Sequence, residues 1–222
     1  MATRERILDA AMDVFAQFGF RHASVDQVAQ QAGLTRQAVY HHFKSKEALF
    51  RATVETLHHC ALEAEAEAGR ECEAAGCDLD EILASQIEAR FRSLLDCLKE
   101  TSQPEELLSA RQIQTRDLNQ NFLEHSISLH AATIARLCAT RGLRLSDGMS
   151  PLDLARSIQL AIRGFNDLRL DPGALEDIGR LVRLIVKGAV EARPRARTRK
   201  PRREAKRQPR RRSSRRPSRA QP

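Results

Sequence analysis

The stretch Ser24 to Leu49, SVDQVAQQAGLTRQAVYHHFKSKEAL, contains two short apolar-periodic segments separated by Ala32-Gly33-Leu34, and each opens on a hydroxyl residue. Ser24 precedes Val25, Val28, Ala29 and Ala32, which share one helix face, and Thr35 precedes Val39 and Phe43, which lie four apart. A hydroxyl in that place accepts a hydrogen bond from a first-turn backbone N–H that has no partner inside its own helix. Gly33 serves the turn, and Ser45 caps a longer helix through the Ala/Glu-rich stretch beyond. Two short helices joined by a Gly-containing turn form a helix-turn-helix, whose second helix enters the DNA major groove in many regulators.

The residue types on that second helix sharpen the reading. With Val39 and Phe43 turned to a small core, Arg36, Gln37, Tyr40 and His41 share the opposite face. Arg can meet guanine O6 and N7 with two hydrogen bonds, Gln can do the same for adenine, and Ala38 leaves room for a thymine methyl. The Thr35 hydroxyl and Tyr40 suit phosphate oxygens, as does the partial positive charge of the helix N-terminus. A plain solvated face would use similar residues, and His42, beside Phe43, could pack as readily as touch DNA.

Upstream, Ile7, Leu8, Ala11, Phe15 and Phe18 mark an amphipathic helix from Arg4 to Phe18 that Gly19 ends. Downstream, the spacing predicts helices from Asp78, with Glu81 placed for a capping box, to about Lys99, from Glu105 to about Thr115 and from Leu118 to Arg141 before Gly142. Ser150-Pro151 opens another, with Leu152, Ala155, Ile158, Ile162 and Phe165 inward, and Asp171-Pro172 the last, with Leu175, Ile178, Leu181, Ile185 and Ala189. No segment alternates like a strand, so the expected fold is all-α. Polar residues in apolar helices, Gln86, Arg90, Gln112, Gln114, His125, His130 and Asn166, could orient a ligand or lie on wetted faces.

Charge divides the chain unevenly. Residues 193–222 hold fifteen Lys and Arg against the single acid Glu204, a net of +14, within a total of +8. Residues 1–192 are therefore mildly acidic, at −6. A segment with five prolines and no aliphatic residue larger than Ala cannot bury enough surface to fold, so a disordered basic tail with polyanionic partners is expected. Five cysteines, an odd number without closely repeated pairs, predict free thiols. Cys72 and Cys77, near His58 and His59, hold open a weaker alternative of a metal or redox switch. Charges through Met1 to Asp13 argue against an export leader, and apolar runs are far shorter than a membrane span, so a cytoplasmic protein without a membrane partner is expected. No catalytic set, metal cluster or phosphate loop stands out, which points away from an enzyme, a metal or a bound cofactor.

Taken together, Ile7-Leu8-Asp9-Ala10-Ala11, Phe15, Gly19-Phe20, Ser24-Val25, Val28-Ala29, Ala32-Gly33-Leu34-Thr35, Val39-Tyr40-His41-His42-Phe43 and Ser45-Lys46-Glu47-Ala48-Leu49 closely resemble the DNA-binding domain of TetR-type repressors. The resemblance implies a helical homodimer whose variable C-terminal part binds a small-molecule effector and whose last two helices form the dimer interface. It places Thr35, Arg36, Gln37, Ala38, Tyr40, His41 and His42 in a recognition segment, Lys46 at a phosphate-contacting lysine, and Ser24 at a frequent phosphate contact. Residues 1–50 would be the DNA-binding domain, 51–192 an effector and dimerisation domain, and 193–222 the tail. Ala155, Gly164, Gly179, Gly188 and Ala189 would permit close helix approach at the interface, with Ile162 and Leu181 in its seam. The partners expected are double-stranded DNA, a second copy of the chain and a small-molecule effector. An architectural DNA-binding protein without an effector is the competing reading, since the tail exceeds the family's usual plan.

The tail generates a prediction of its own. Each phosphate that its basic side chains engage releases counterions and steepens the log-log fall of affinity with salt by about 0.9. Deleting residues 193–222 is expected to weaken operator and scrambled duplexes by similar factors and to flatten the salt dependence. Equal slopes for intact and truncated protein in parallel titrations would refute the assignment.

Overall fold

A computed structural model describes residues 3–96, 114–163 and 172–191, and in them the chain is helical. Helix α1 spans Thr3–His22 and buries Ile7, Leu8, Ala11, Val14 and Phe15. At Gly19 the backbone leaves helical geometry, with φ 70° and ψ 168°, a conformation open to glycine because it has no β-carbon. Helix α2 spans Val25–Gln31, α3 Arg36–His42 and α4 Lys46–Ala74.

All three hydroxyl caps form. Ser24 Oγ accepts the Gln27 N–H at 3.2 Å while the Gln27 carboxamide accepts the Ser24 N–H at 2.8 Å, a complete capping box. Thr35 Oγ1 accepts from Ala38 N at 3.2 Å, and Ser45 Oγ from Ala48 N at 3.1 Å. The helices close over one apolar cluster drawn from residues 7–54, at whose centre Phe50 packs against Phe15 and Phe20 with ring centroids 5.0 and 4.8 Å away.

A second cluster lies among α5 (Leu79–Asp96), α6 (Arg116–Arg141), α7 (Pro151–Ile162) and α8 (Pro172–Ala189). Ile82, Leu83, Ile87, Ile134, Leu137, Leu154, Ile158 and Ile178 are fully buried there. Gly142, at φ 64°, is the left-handed cap of α6, and Ser150 with Asp153 forms the capping box ahead of Pro151 in α7. A short 3-10 turn, Ser146–Gly148, precedes α7. Among the described residues there is no strand, although an isolated bridge pairs Leu145 with Val190 at the end of α8. The expected boundary near residue 50 falls inside α4, a single helix of 29 residues.

Several expectations change. The helix foreseen for residues 105–115 falls almost entirely outside the described residues, as do Gln112, Gly164, Phe165, Asn166 and the basic tail. Leu152 was expected inward but is 39% exposed, because α7 turns Leu154, Ile158 and Ile162 to the core. Ile162, only 3% exposed, therefore belongs to the protomer's own interior, and Val182 and Val186 fill α8 positions beside a half-buried Leu181. Gly179 serves packing inside the chain, for a β-carbon there would overlap the Glu88 carboxylate of α5. Cys72 and Cys77, expected as free thiols, are joined in a disulfide, because the chain turns at Gly76 and brings their Cα atoms to 5.4 Å.

Two glycines give opposite expectations for added bulk. A β-carbon at Gly69 in α4 would sit 2.9 Å from Gln86 Cγ, and Gln86 is 3% exposed with little room to yield. At Gly179 the obstacles are the far ends of two long side chains, Glu88 and Arg183, which pair with each other. Gly69→Ala should cost about 1 kcal/mol or more, because overpacking outweighs the gain in helix propensity. Gly179→Ala should be near neutral. Urea unfolding of both variants checks the contrast, and equal shifts would refute it.

Candidate nucleic-acid interface

The local geometry that exposes α3 begins behind it. Val39 is buried at 1% and Phe43 at 6%, so the helix is pinned along one side. Thr35, Arg36, Gln37, Tyr40, His41 and His42 are exposed on this short helix and its cap, and Ala38 is half-buried. His42 is thus outside the core; its ring lies 5.5 Å from His41 and 6.5 Å from Phe43. Ser24 and Lys46 are half-buried at the starts of α2 and α4. The expected recognition residues are therefore gathered on or beside a three-helix unit, with hydroxyl, amide, imidazole and guanidinium groups turned outward.

Besides the hydroxyl caps Ser24 and Thr35, Arg36 and Lys46 reach partners on other elements. Arg36 Nη1 pairs with Asp26 Oδ2 at 2.8 Å, and its guanidinium lies 5.4 Å from the Tyr40 ring centroid. Tyr40 and the Asp26 charge hold the Arg36 pKa above its ordinary value. Lys46 Nζ donates to the Arg21 carbonyl at 3.1 Å and sits 4.7 Å from the Phe20 ring centroid. Arg6 Nη2 donates to the Ala32 carbonyl at 2.7 Å, fastening the helix-turn-helix turn to α1. Sequence reasoning had not singled out Arg6, Asp26 or Arg21, since their contacts join residues far apart in sequence or rely on backbone carbonyls.

A second polar assembly lies inside the C-terminal helices. Of the seven polar residues picked out from the sequence, Gln86, Arg90 and His130 are buried, His125 is exposed and Gln114 is half-buried. Arg90 of α5, His130 and Ser126 of α6, and Gln159 of α7 gather around Glu65 of α4, each at most 4% exposed. His130 Nε2 stands 2.6 Å from Glu65 Oε1, its ring turned off the ideal hydrogen-bond line, and Arg90 Nη1 stands 3.4 Å from the same oxygen. Ser126 Oγ donates to Glu65 at 3.0 Å, and Gln159 Nε2 lies 3.4 Å from His130 Nδ1. Burial pushes the Glu65 pKa up, but Arg90, His130 and Ser126 together outweigh it and leave the carboxyl below its usual range. Glu65 and Ser126 were missed because an acid or a serine in an Ala/Glu-rich helix looks like surface until its neighbours are placed.

One further contact ties this part of the chain to the first cluster. Arg51, one turn into α4, makes a two-pronged pair with Asp117 at 2.9 and 2.6 Å and donates to the Gln114 carbonyl at 2.9 Å. The Arg51 hydrogen bond draws the Asp117 pKa down to about 2. Leu118 beside it packs against the helix-turn-helix core.

Known proteins match this architecture. The family described as bacterial regulatory proteins of the tetR family fits residues 7–53. The transcriptional regulator SrpR of Pseudomonas putida is 31% identical over 150 residues, covering 66% of this chain and 69% of that protein. Among solved structures, NalD of Pseudomonas aeruginosa, the secondary repressor of the MexAB-OprM multidrug efflux pump, is 27% identical with a TM-score of 0.51, covering 86% of this chain and 97% of that one. SmeT, the repressor of the Stenotrophomonas maltophilia efflux pump SmeDEF, shares the fold at a TM-score of 0.55 and 23% identity, covering 86% and 92%. With its capped helix-turn-helix, its second helical cluster and a relative aligned over two thirds of its length, the chain belongs to the TetR family and is a DNA-binding transcriptional regulator.

Proposed function

We propose that the protein acts as a dimeric, ligand-responsive repressor that binds a palindromic operator through α3. The observation carrying this reading is the outward set on α3 and its cap, Thr35, Arg36, Gln37, Tyr40, His41 and His42, with Val39 and Phe43 holding the helix from behind. In this reading Arg36 and Gln37 read base edges, Ala38 faces a thymine methyl, and Thr35, Ser24, Tyr40 and Lys46 meet phosphates. NalD and SmeT act as repressors, which supports the same sign of regulation here. In this reading residues 1–50 form the reading head, and residues 51–192 serve dimerisation and effector sensing.

Dimerisation has support in the protomer's surface. Leu160 of α7 is 67% exposed, Leu184 of α8 65% and Leu152 of α7 39%. Large apolar side chains left in water on α7 and α8 support a surface that another chain covers. Two reading heads joined in this way would engage half-sites about 34 to 36 Å apart, one helical turn of DNA. The effector reading rests on the buried Glu65 assembly, which unites α4, α5, α6 and α7. Buried ionic groups cost desolvation and give little net stability, so their presence favours a role in sensing.

The recognition assignment separates two variants. Gln37→Ala should relax preference at one base pair per half-site, costing about 1 to 3 kcal/mol if the contact is two-pronged. Lys46→Ala should weaken all duplexes alike. Wild-type affinity of both variants for every duplex tested would show the reading surface to be elsewhere.

The interface assignment turns on residues that are exposed in the protomer. Leu160→Glu and Leu184→Glu should leave the helical signal and unfolding midpoint nearly unchanged, yet shift the protein from dimer to monomer in sedimentation. Operator affinity should fall with the dimer. A dimer that persists in both variants would move the interface off α7 and α8.

A further inference from the structure

Cys72 lies in the last turn of α4, and Cys77 lies in the connection that opens α5. Between them the chain reverses at Gly76, with φ 82°, and the Cys77 N–H donates to the Cys72 carbonyl at 3.0 Å. Helix α6 grips the same corner: Arg141 donates to the Cys77 carbonyl at 2.5 Å, and Arg136 pairs with Glu73. Both cysteines are half-buried against the second apolar cluster, screened from bulk solvent but within reach of small molecules.

The placement decides what such a bond can do. A disulfide that closes so short a loop removes little entropy from the unfolded chain, so it is a weak staple for the whole fold. Its effect is local: it fixes the end of α4 to the connection that leads into α5. Helix α4 runs from Lys46 within the reading head to this corner, and at 1.5 Å per residue its 29 residues span about 43 Å. A swing of about 5° at one end of such a rod carries the other end by roughly 4 Å. That displacement is large against hydrogen-bond tolerances in a groove.

We propose that Cys72 and Cys77 are a reversible oxidation site whose state sets operator affinity, with a hydroperoxide as oxidant and a small thiol as reductant. The proposal rests on the reading of the chain as an operator-binding dimer. One thiolate attacks the peroxide O–O bond, forming a sulfenic acid and releasing an alcohol or water. The second thiol then displaces the hydroxyl as water and closes the S–S bond. Two electrons pass from the sulfurs to the peroxide. Two exchange steps with a small thiol reopen the bond and leave that thiol's own disulfide. Cys60 is exposed and Cys138 half-buried, and neither is bonded; Cys97 lies outside the described residues.

The test uses the full-length protein. Alkylation in denaturant should count three thiols after hydrogen peroxide and five after dithiothreitol, with peptide mapping placing the link at 72–77. A duplex is selected from a random pool by reduced protein, and its affinity is then measured for both redox states. Wild-type affinity should differ at least threefold between them, while Cys72→Ser and Cys77→Ser hold one value under both treatments. Five reactive thiols after peroxide, a link elsewhere, or a difference below threefold on an enriched duplex would overturn the switch. A pool that yields no enriched duplex would instead sink the regulator reading, and the switch with it.

Discussion

Helix α4 is committed to two sets of neighbours at once, and that double commitment constrains the rest of the structure. Its first turns give Leu49, Phe50, Ala52 and Val54 to the core of the reading head, so its direction there follows from how Phe50 meets Phe15 and Phe20. Further along, Glu65 and Gly69 face α5, where Arg90 supplies a counter-charge and Gln86 fills the space that a side chain at 69 would need. An unbroken helix cannot satisfy one end independently of the other, because its hydrogen-bonded ladder transmits rotation and tilt along its length. The Arg51 and Asp117 pair adds a direct tie between the start of α4 and the start of α6.

The buried assembly around Glu65 is consistent with that constraint. A lone carboxylate so deep in the protein would be prohibitively costly, and here it is surrounded by a guanidinium, an imidazole and a hydroxyl drawn from two other helices. Because Ser126 and His130 share α6 while Arg90 comes from α5, a shift of α6 degrades several contacts together. Such networks favour discrete arrangements over gradual deformation, which is the behaviour that a two-state regulator requires.

Much of this was legible in the residues. Ser24, Thr35 and Ser45 cap the helices that follow them, because a side-chain hydroxyl and the backbone donor it satisfies lie within three residues of each other. The outward face of α3 could be read for a similar reason: once Val39 and Phe43 are assigned inward, helical geometry leaves little freedom for the others. What escaped depends on distant partners. Leu152 has the spacing of a core residue, yet α7 is rotated so that Leu154 takes the inner place. The pairing of Cys72 with Cys77 requires the reversal at Gly76, and Arg90, Ser126 and His130, the partners of Glu65, lie far from it in sequence.

The Asp26 carboxylate that pairs with Arg36 lies on the face that an approaching duplex would meet in the proposed reading. Its Oδ2 lies 2.8 Å from one guanidinium nitrogen, Nη1, and so competes there with a phosphate or a base edge. On the recognition role proposed for Arg36, the protein carries a built-in rival for its own reading group. A lone phosphate offers little that the carboxylate does not already provide, whereas a guanine offers two acceptors in the plane of the guanidinium. On that role the rival would weigh on every encounter and be offset mainly at the correct base, so Asp26 would add to selectivity without any contact of its own with DNA.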